Sequence, residues 1–452
     1  MNLLYNKNSI IGRFYFYFSM YFKNFSAPAA ESLFLFLLSI LALESADSLR
    51  FLYRHFLSGI TRKSLNAFYY LCSHARVDYS SFMNITARAA LNLIPEKLLQ
   101  QPVFLCIDDT MVTKFGKKFE DVSKLFDHAV HHGCAYLNGH CFVSLMLCVP
   151  VWTGTHIHYL SVPLGYRIWQ KTVSKLALAA DMVIQVMPEL ASRRNVILLC
   201  DSWYAKKEVL CLAEQFQNLD IICSVRKDTV LYDLPPAPSG KPGRPPKRRK
   251  KLSVDTDFAL SDKKTGNYHA AYRMVLSNLF GDCRILAYVT SPDKKSGSRR
   301  LFLSTVSPAH LSLFCAWQEE APLNQTGSDW MMYIPLFLYR FRWNIEVSYY
   351  EQKKFWSLER YMLRSRKGIE MMVNLINVAY CSMKILPYMD DAFSEYRKES
   401  VQEFRFFVSG KIREQVFIAS FINSCENNIK SNTVMNLLKR KVFGFHSCTQ
   451  KL

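Results

Sequence analysis

The chain has 452 residues, with 57 Lys plus Arg against 37 Asp plus Glu, a formal net charge of +20. Half of it is hydrophobic and 14% aromatic, which excludes a disordered polymer. The length excludes a small single domain, and the charge argues for an anionic partner, nucleic acid or a membrane surface. The most apolar stretch, residues 33–43, is too short to span a bilayer, which takes about 20 helical residues. Residues 10–25 are aromatic-rich but carry Arg13 and Lys23 and lack the layout of a signal peptide. Buried helices without stable membrane association are expected. Thirteen cysteines, with no C-x2-C pair and several inside apolar runs (Cys106, Cys148, Cys200, Cys223), predict a reduced, cytoplasmic protein.

Residues 1–98 predict a helical region. Apolar positions recur at three- and four-residue spacing over 48–56 and 64–72, with polar breaks near Ser58–Gly59 and 78–81. Ten basic and five acidic side chains lie here. The pattern suits a small bundle or a helix-turn-helix-like DNA reader, and no turn signature separates the two.

From Pro102 the texture becomes α/β. A strand-length apolar run at 103–107 ends in Asp108-Asp109-Thr110. Strand-like runs follow at 141–151 and 156–162, then a helix at 172–186. A buried-type strand at 195–200 ends in Asp201, followed by a helix at 205–215 and a strand at 219–225. The order β-β-β-α-β-α-β predicts a mixed sheet flanked by helices, with two strands stopping on carboxylates.

Residues 226–300 carry 17 basic and 7 acidic side chains, so this segment holds half of the net charge. Its basic run, 241–251, includes Arg244, Lys247, Arg248 and Arg249. Gly243-Arg244-Pro245 resembles an AT-hook, whose extended Arg-Pro segment enters the minor groove of A·T-rich DNA. The plainer reading of the run is a solvated basic loop touching phosphates non-specifically. Strands are predicted at 268–276, 283–289 and 301–305, in a β-rich insertion. The chain turns helical from Trp330, and 386–452 reads as a helical, mixed-charge region.

Three acids carry the chemistry. Carboxylates at the carboxyl ends of strands in an open α/β sheet converge on one crevice, which groups Asp109 (or Asp108) with Asp201. The third is Glu346, within Tyr339-x2-Arg342-x3-Glu346-x6-Lys353. On a continuous helix these four fall within about 60° of arc along about 21 Å. An acid flanked by two cations and a phenol suits a surface that holds a metal and tracks phosphates. Each piece has a plainer meaning. An Asp after a strand is often a turn or helix-cap residue, and Glu346 can pair with Arg342 one helical turn away.

On these residues the chain resembles the DDE transposases of bacterial insertion sequences, specifically the IS-four class with the Y-x2-R-x3-E-x6-K signature. The matching positions are 108–110, Asp201-Ser202-Trp203-Tyr204 and the signature at 339–353. Lys114-x-Gly116, Gly139-His140 and Leu363-Arg364-Ser365 are similar as well. The resemblance spans roughly residues 100–385. It implies a ribonuclease-H-like core in two parts, 99–225 and 331–385, interrupted by a β-rich insertion at 226–330. It leaves helical regions at 1–98, expected to bind DNA ends, and at 386–452. The 144 residues between Asp201 and Glu346 leave room for the insertion.

By the family pattern the acid directly before Thr is catalytic, which selects Asp109, Asp201 and Glu346. Strand alternation lets only one of the two neighbouring Asp enter the site. The resemblance implies two Mg²⁺ ions, or Mn²⁺ in their place, on these oxygen ligands. Tyr339, Arg342 and Lys353 would hold phosphates. It further implies double-stranded DNA as partner (terminal repeats and target), excision through a hairpin, strand transfer, and a homodimer in the synaptic complex. Trp317 or Trp330 could hold an extruded base or serve as core. A catalytically silent DNA-binding descendant, a hydrolytic nuclease without strand transfer and a membrane-surface protein are the other classes. His128, His131, His132, Cys134, His140 and Cys141 crowd together without the spacing of a structural zinc site.

Overall fold

A computed structural model describes residues 6–430, apart from 117, 127–134, 154–156, 194, 237–247, 265–266, 282 and 307–333; for 296, 334 and 423–430 it describes the backbone only. Two compact units form, Met1–Leu71 with Glu399–Leu452, and Cys72–Lys398.

In the first unit the apolar stretch 33–43 lies in a helix, Ala27–Ala42, buried on every side from Ser32 onward. Helix Val401–Lys430 packs on it. The buried Arg405 donates to the carbonyls of Ile40 (3.2 Å) and Leu43 (2.8 Å), and Ser409 to that of Ala42 (2.8 Å). These side chains answer carbonyls that the end of the Ala27–Ala42 helix leaves unpaired. Burial pulls the Arg405 guanidinium down to about 10.

Among the described residues, the second unit is built on one eleven-stranded sheet. Its strands are β1 (Val103–Thr113), β2 (Ser123–Phe126), β3 (Tyr136–Trp152), β4 (Ile157–Ile168), β5 (Val196–Cys200), β6 (Leu219–Val225), β7 (Leu231–Tyr232), β8 (Lys251–Leu252), β9 (His269–Ser277), β10 (Arg284–Ser291) and β11 (Arg300–Ser304). The order β4-β3-β1-β5-β6, with β3 antiparallel and β5 and β6 parallel to β1, is a ribonuclease-H-like core. The sheet then continues from β6 through β11, β10, β9, β7 and β8. The insertion strands thus extend the core sheet, because β11 pairs antiparallel with β6.

Two devices set the core. Gly139 of β3 lies so close to β1 that a Cβ would meet the Val112 carbonyl oxygen at 2.1 Å, so this crossing requires glycine. On β4 the register slips, with Leu145 facing Gly165 but Met146 facing Pro163. Asn374 and Asn377 of helix Arg366–Met389 answer the bulge. Asn374 accepts from the Tyr166 N–H (2.9 Å) and donates to the Tyr166 carbonyl (3.0 Å), while Asn377 donates to the Pro163 carbonyl (2.9 Å). This 24-residue helix is long and apolar enough to cross a bilayer, yet 89% of its most apolar window is buried within the protein.

Several elements differ from the sequence pattern. β1 does not end at the acids but runs to Thr113, since β3 pairs with it along that length. The expected helix at 205–215 is two single turns, Lys207–Leu210 and Leu212–Gln215. The expected single helix through 339–353 is two α-helices, Ile334–Tyr339 and Trp343–Phe355, joined by a 3₁₀ turn at Arg340–Arg342. The tighter turn rotates Tyr339 relative to Glu346 and Lys353, so the four signature residues do not share one straight stripe.

Candidate active site

β1 pairs in parallel with β5 only as far as Cys106, while its antiparallel edge continues beyond. Asp108 and Asp109 therefore stand just past the end of the parallel ladder, and Asp201 follows the last residue of β5. This is where carboxylates of an open α/β sheet gather. Alternation along β1 sends the two neighbouring acids to opposite faces.

On one face, Phe104 stacks on Phe341 (4.8 Å between centroids) and Cys106 reaches the Phe341 carbonyl. Next along that face is Asp108. Its Oδ2 takes a hydrogen bond from Arg342 Nη1 at 2.9 Å, and Arg342 Nη2 binds Glu346 Oε1 at 2.5 Å. One guanidinium thus joins Asp108 to Glu346. Burial raises the Asp108 carboxyl to about 7, with Arg342 opposing the rise and Asp201 adding to it. Burial pulls the Arg342 guanidinium down, but Asp108 and then Tyr339 and Glu346 more than offset this, and it is held above its ordinary value.

On the other face Asp109 is fully engaged. Its Oδ1 accepts from the Tyr204 hydroxyl (2.9 Å), and its Oδ2 from Lys175 Nζ (2.8 Å) and the Cys141 thiol (3.0 Å). Lys175 sits near the faces of Trp169 and Trp203, at 5.6 and 5.1 Å from the ring centroids. Burial, and next Asp109, push the Tyr204 phenol and the Cys141 thiol well up. The family pattern selects Asp109 as partner of Asp201 and Glu346. In the structure it is Asp108 that shares Arg342 with Glu346, because the Glu346 helix packs on the face to which Asp108 points.

Asp201 forms a tight turn, its Oδ1 accepting from the N–H groups of Trp203 (3.0 Å) and Tyr204 (3.1 Å). It also lines a cavity of about 830 Å³ together with Tyr339, Arg340, Arg342, Trp343 and Arg300. Tyr339 donates to the Cys200 carbonyl (3.2 Å) and meets Phe302 edge-on; Lys353 donates to the Met111 carbonyl (2.8 Å). These two signature residues tie their two helices to the end of β5 and to β1, contacts that the sequence pattern does not signal.

The other motif residues form a second tie. Lys114 donates to the carbonyls of Glu359 (2.7 Å) and Tyr361 (2.8 Å) and lies 3.6 Å from the Tyr361 ring centroid. Burial lowers its ammonium to about 8. Gly116 has φ +98°, open to glycine. His140 Nε2 donates to the Glu120 carbonyl (2.8 Å), which leaves Nδ1 to accept from the Tyr361 hydroxyl (2.6 Å). Burial lowers the His140 pKa. Glu120 N–H donates to the Arg364 carbonyl (2.9 Å), and Ser365 caps helix Arg366–Met389. The loop after β1 is thereby clamped to the segment that follows the Glu346 helix.

Both ring nitrogens of His140 and the thiol of Cys141 are engaged within the protein. The other four members of the zinc grouping, His128, His131, His132 and Cys134, lie outside the described residues, as do Arg244, Lys247, Trp317 and Trp330. Arg248 donates to Asn278 and lies 4.8 Å from the Tyr232 ring centroid, and the Arg249 backbone N–H donates to the Asp233 carbonyl (3.2 Å).

The family model for the DDE superfamily endonucleases matches residues 22–274, more than half of the chain. The chain belongs to that family. In this DDE endonuclease the match takes in both strand acids and stops before the Glu346 helix. No curated protein matches the chain. Endonucleases of the superfamily generally use divalent metals. Among the described residues no three His, Cys, Asp or Glu side chains gather into a ready metal group. The reason is local, since Arg342 stands between Asp108 and Glu346. The donor chemistry nonetheless fits. Asp108 and Glu346 share one guanidinium, and Asp201 lies near enough to add to the rise that burial imposes on the Asp108 carboxyl.

Proposed function

We propose that this DDE endonuclease is a cut-and-paste transposase of the IS-four insertion-sequence class. Its substrates are double-stranded terminal repeats and target DNA in the bacterial cytoplasm. The observation that carries the reading is the Arg342 guanidinium joining Asp108 to Glu346 beside Asp201, at the end of the parallel ladder. Asp108, Asp201 and Glu346 would hold Mg²⁺, with Mn²⁺ as a substitute. Bound there, the metal would supply Lewis acidity for attack of water, and later of a DNA 3′-OH, on a phosphodiester. The face that Asp108 shares with Glu346 supports Asp108 over Asp109 as the ligand.

The chain's own residues do the rest. Arg342 neutralises the acids in the free protein and is placed to turn toward a phosphate when a cation takes over that task. Arg300 and Arg340, in the cavity that Asp201 lines, are placed to grip the backbone at the cut end. Tyr339 and Lys353 serve this site by fixing their two helices on β5 and β1. Excision through a hairpin, strand transfer and a homodimer that synapses two ends complete the proposed reaction. Residues 1–98 are proposed to read the transposon ends.

The test is Mg²⁺-dependent nicking of terminal-repeat DNA. Glu346→Ala should abolish nicking and leave DNA binding in place. Retained cleavage would remove Glu346 from the site, and binding without cleavage by the unaltered protein would mark a silent DNA-binding descendant.

A further inference from the structure

The cavity beside Asp201 does not end there. It shares Ser202 with a second hollow of about 360 Å³, walled by Lys206, Arg226, Asp228 and Asn278 among others. That hollow shares Arg226, Asp228 and Thr229 with a third, of about 740 Å³, which Lys227, Lys251 and Asp255 also line. The three form one groove leading from the acids onto the insertion strands. Its character changes along the way. Near the acids it is aromatic as well as basic, with Tyr159, Phe302, Tyr339 and Trp343 in its wall. The second and third hollows have no aromatic lining among the described residues. There, Lys206, Arg226, Lys227 and Lys251 face Asp228 and Asp255. The acids pair with Arg226 (3.1 Å) and Lys227 (2.8 Å), leaving a net positive wall. The described end of the basic run joins it, since Arg248 bonds the groove residue Asn278.

Resting on the transposase reading above, we infer that this groove carries the DNA backbone away from the cut site and across the insertion. A wall of cations without stacking surfaces grips phosphates and reads no bases. The insertion strands thereby lengthen the DNA footprint while sequence recognition is left to other parts of the chain.

The experiment is equilibrium binding of the full chain to duplex DNA in EDTA across a salt series, which needs no cleavage. The variant combines Lys206→Gln, Arg226→Gln and Lys251→Gln, all exposed positions. On a long duplex the slope of log K against log salt should become shallower by about 1 per residue, about 3 in all, with the same loss on unrelated sequences. On a duplex of one helical turn, roughly 10 base pairs, the change should be small. Lys251→Gln alone, on a two-residue strand, should lower the slope by about 1. An unchanged slope on the long duplex, or a loss confined to one sequence, overturns the groove while leaving the transposase reading intact. No duplex binding by the unaltered protein overturns both.

Discussion

The two faces of β1 hold adjacent aspartates in opposite circumstances. Asp109 has a lysine, a phenol and a thiol on its two oxygens. Its charge is answered within the protein, and it binds the turn that bears Asp201 to β1 through Tyr204. Asp108 has one guanidinium, which it shares with Glu346, and a carboxyl raised to about 7. A satisfied carboxylate supports structure. A buried carboxylate that shares its one cation with a second acid suits a cation-binding site. The difference teaches that charge type and strand position leave the roles of neighbouring acids open; their partners tell them apart.

The sharpest way to break this contrast is to neutralise each acid in turn. Asp108→Asn should abolish Mg²⁺-dependent cleavage. Asp109→Asn should cost no more than the roughly 10–100-fold typical of a supporting partner. Cleavage rates of the two variants on one substrate decide it, and equal losses would erase the distinction between the faces. Next in size is Lys175→Met. The Lys175 and Asp109 side chains are each 17% exposed, and leaving Asp109 without its cation should destabilise the second unit by about 3 kcal/mol. Urea unfolding measures this, and an unchanged midpoint would mean that Asp109 needs no internal cation. The smallest effect is expected from Tyr204→Phe. Loss of one buried hydrogen bond should cost about 1 kcal/mol in the same unfolding assay while cleavage stays within about tenfold. A far larger loss of cleavage with stability intact would make the hydroxyl a direct participant.

Much of the core was legible from residue patterns. The run at 219–225 is β6 to the residue, and the insertion strands lie within a residue or two of their predicted bounds. These are apolar runs closed by turns, and their period is local. Shorter pieces were not legible. β7 and β8 have two residues each and exist because β9 and each other offer pairing edges. The 3₁₀ turn at Arg340–Arg342 left no mark in the apolar spacing. It bends the chain so that Tyr339 reaches the end of β5 while Lys353 reaches β1.

By itself the sequence determined the class of chemistry. Two strands leading into acids, a helix bearing Glu346 among cations, and a basic insertion specify a carboxylate site set in a surface for a polyanion. The DDE endonuclease family match agrees with that class. Tertiary structure decided which acids meet. Alternation says only that Asp108 and Asp109 point apart. The choice follows from the face on which the Trp343–Phe355 helix packs, and that is set by contacts among residues more than 200 positions apart, such as Arg342 with Asp108 and Lys353 with Met111. No local rule in the sequence carries such a contact, because it forms only when the sheet and the helix are both in place.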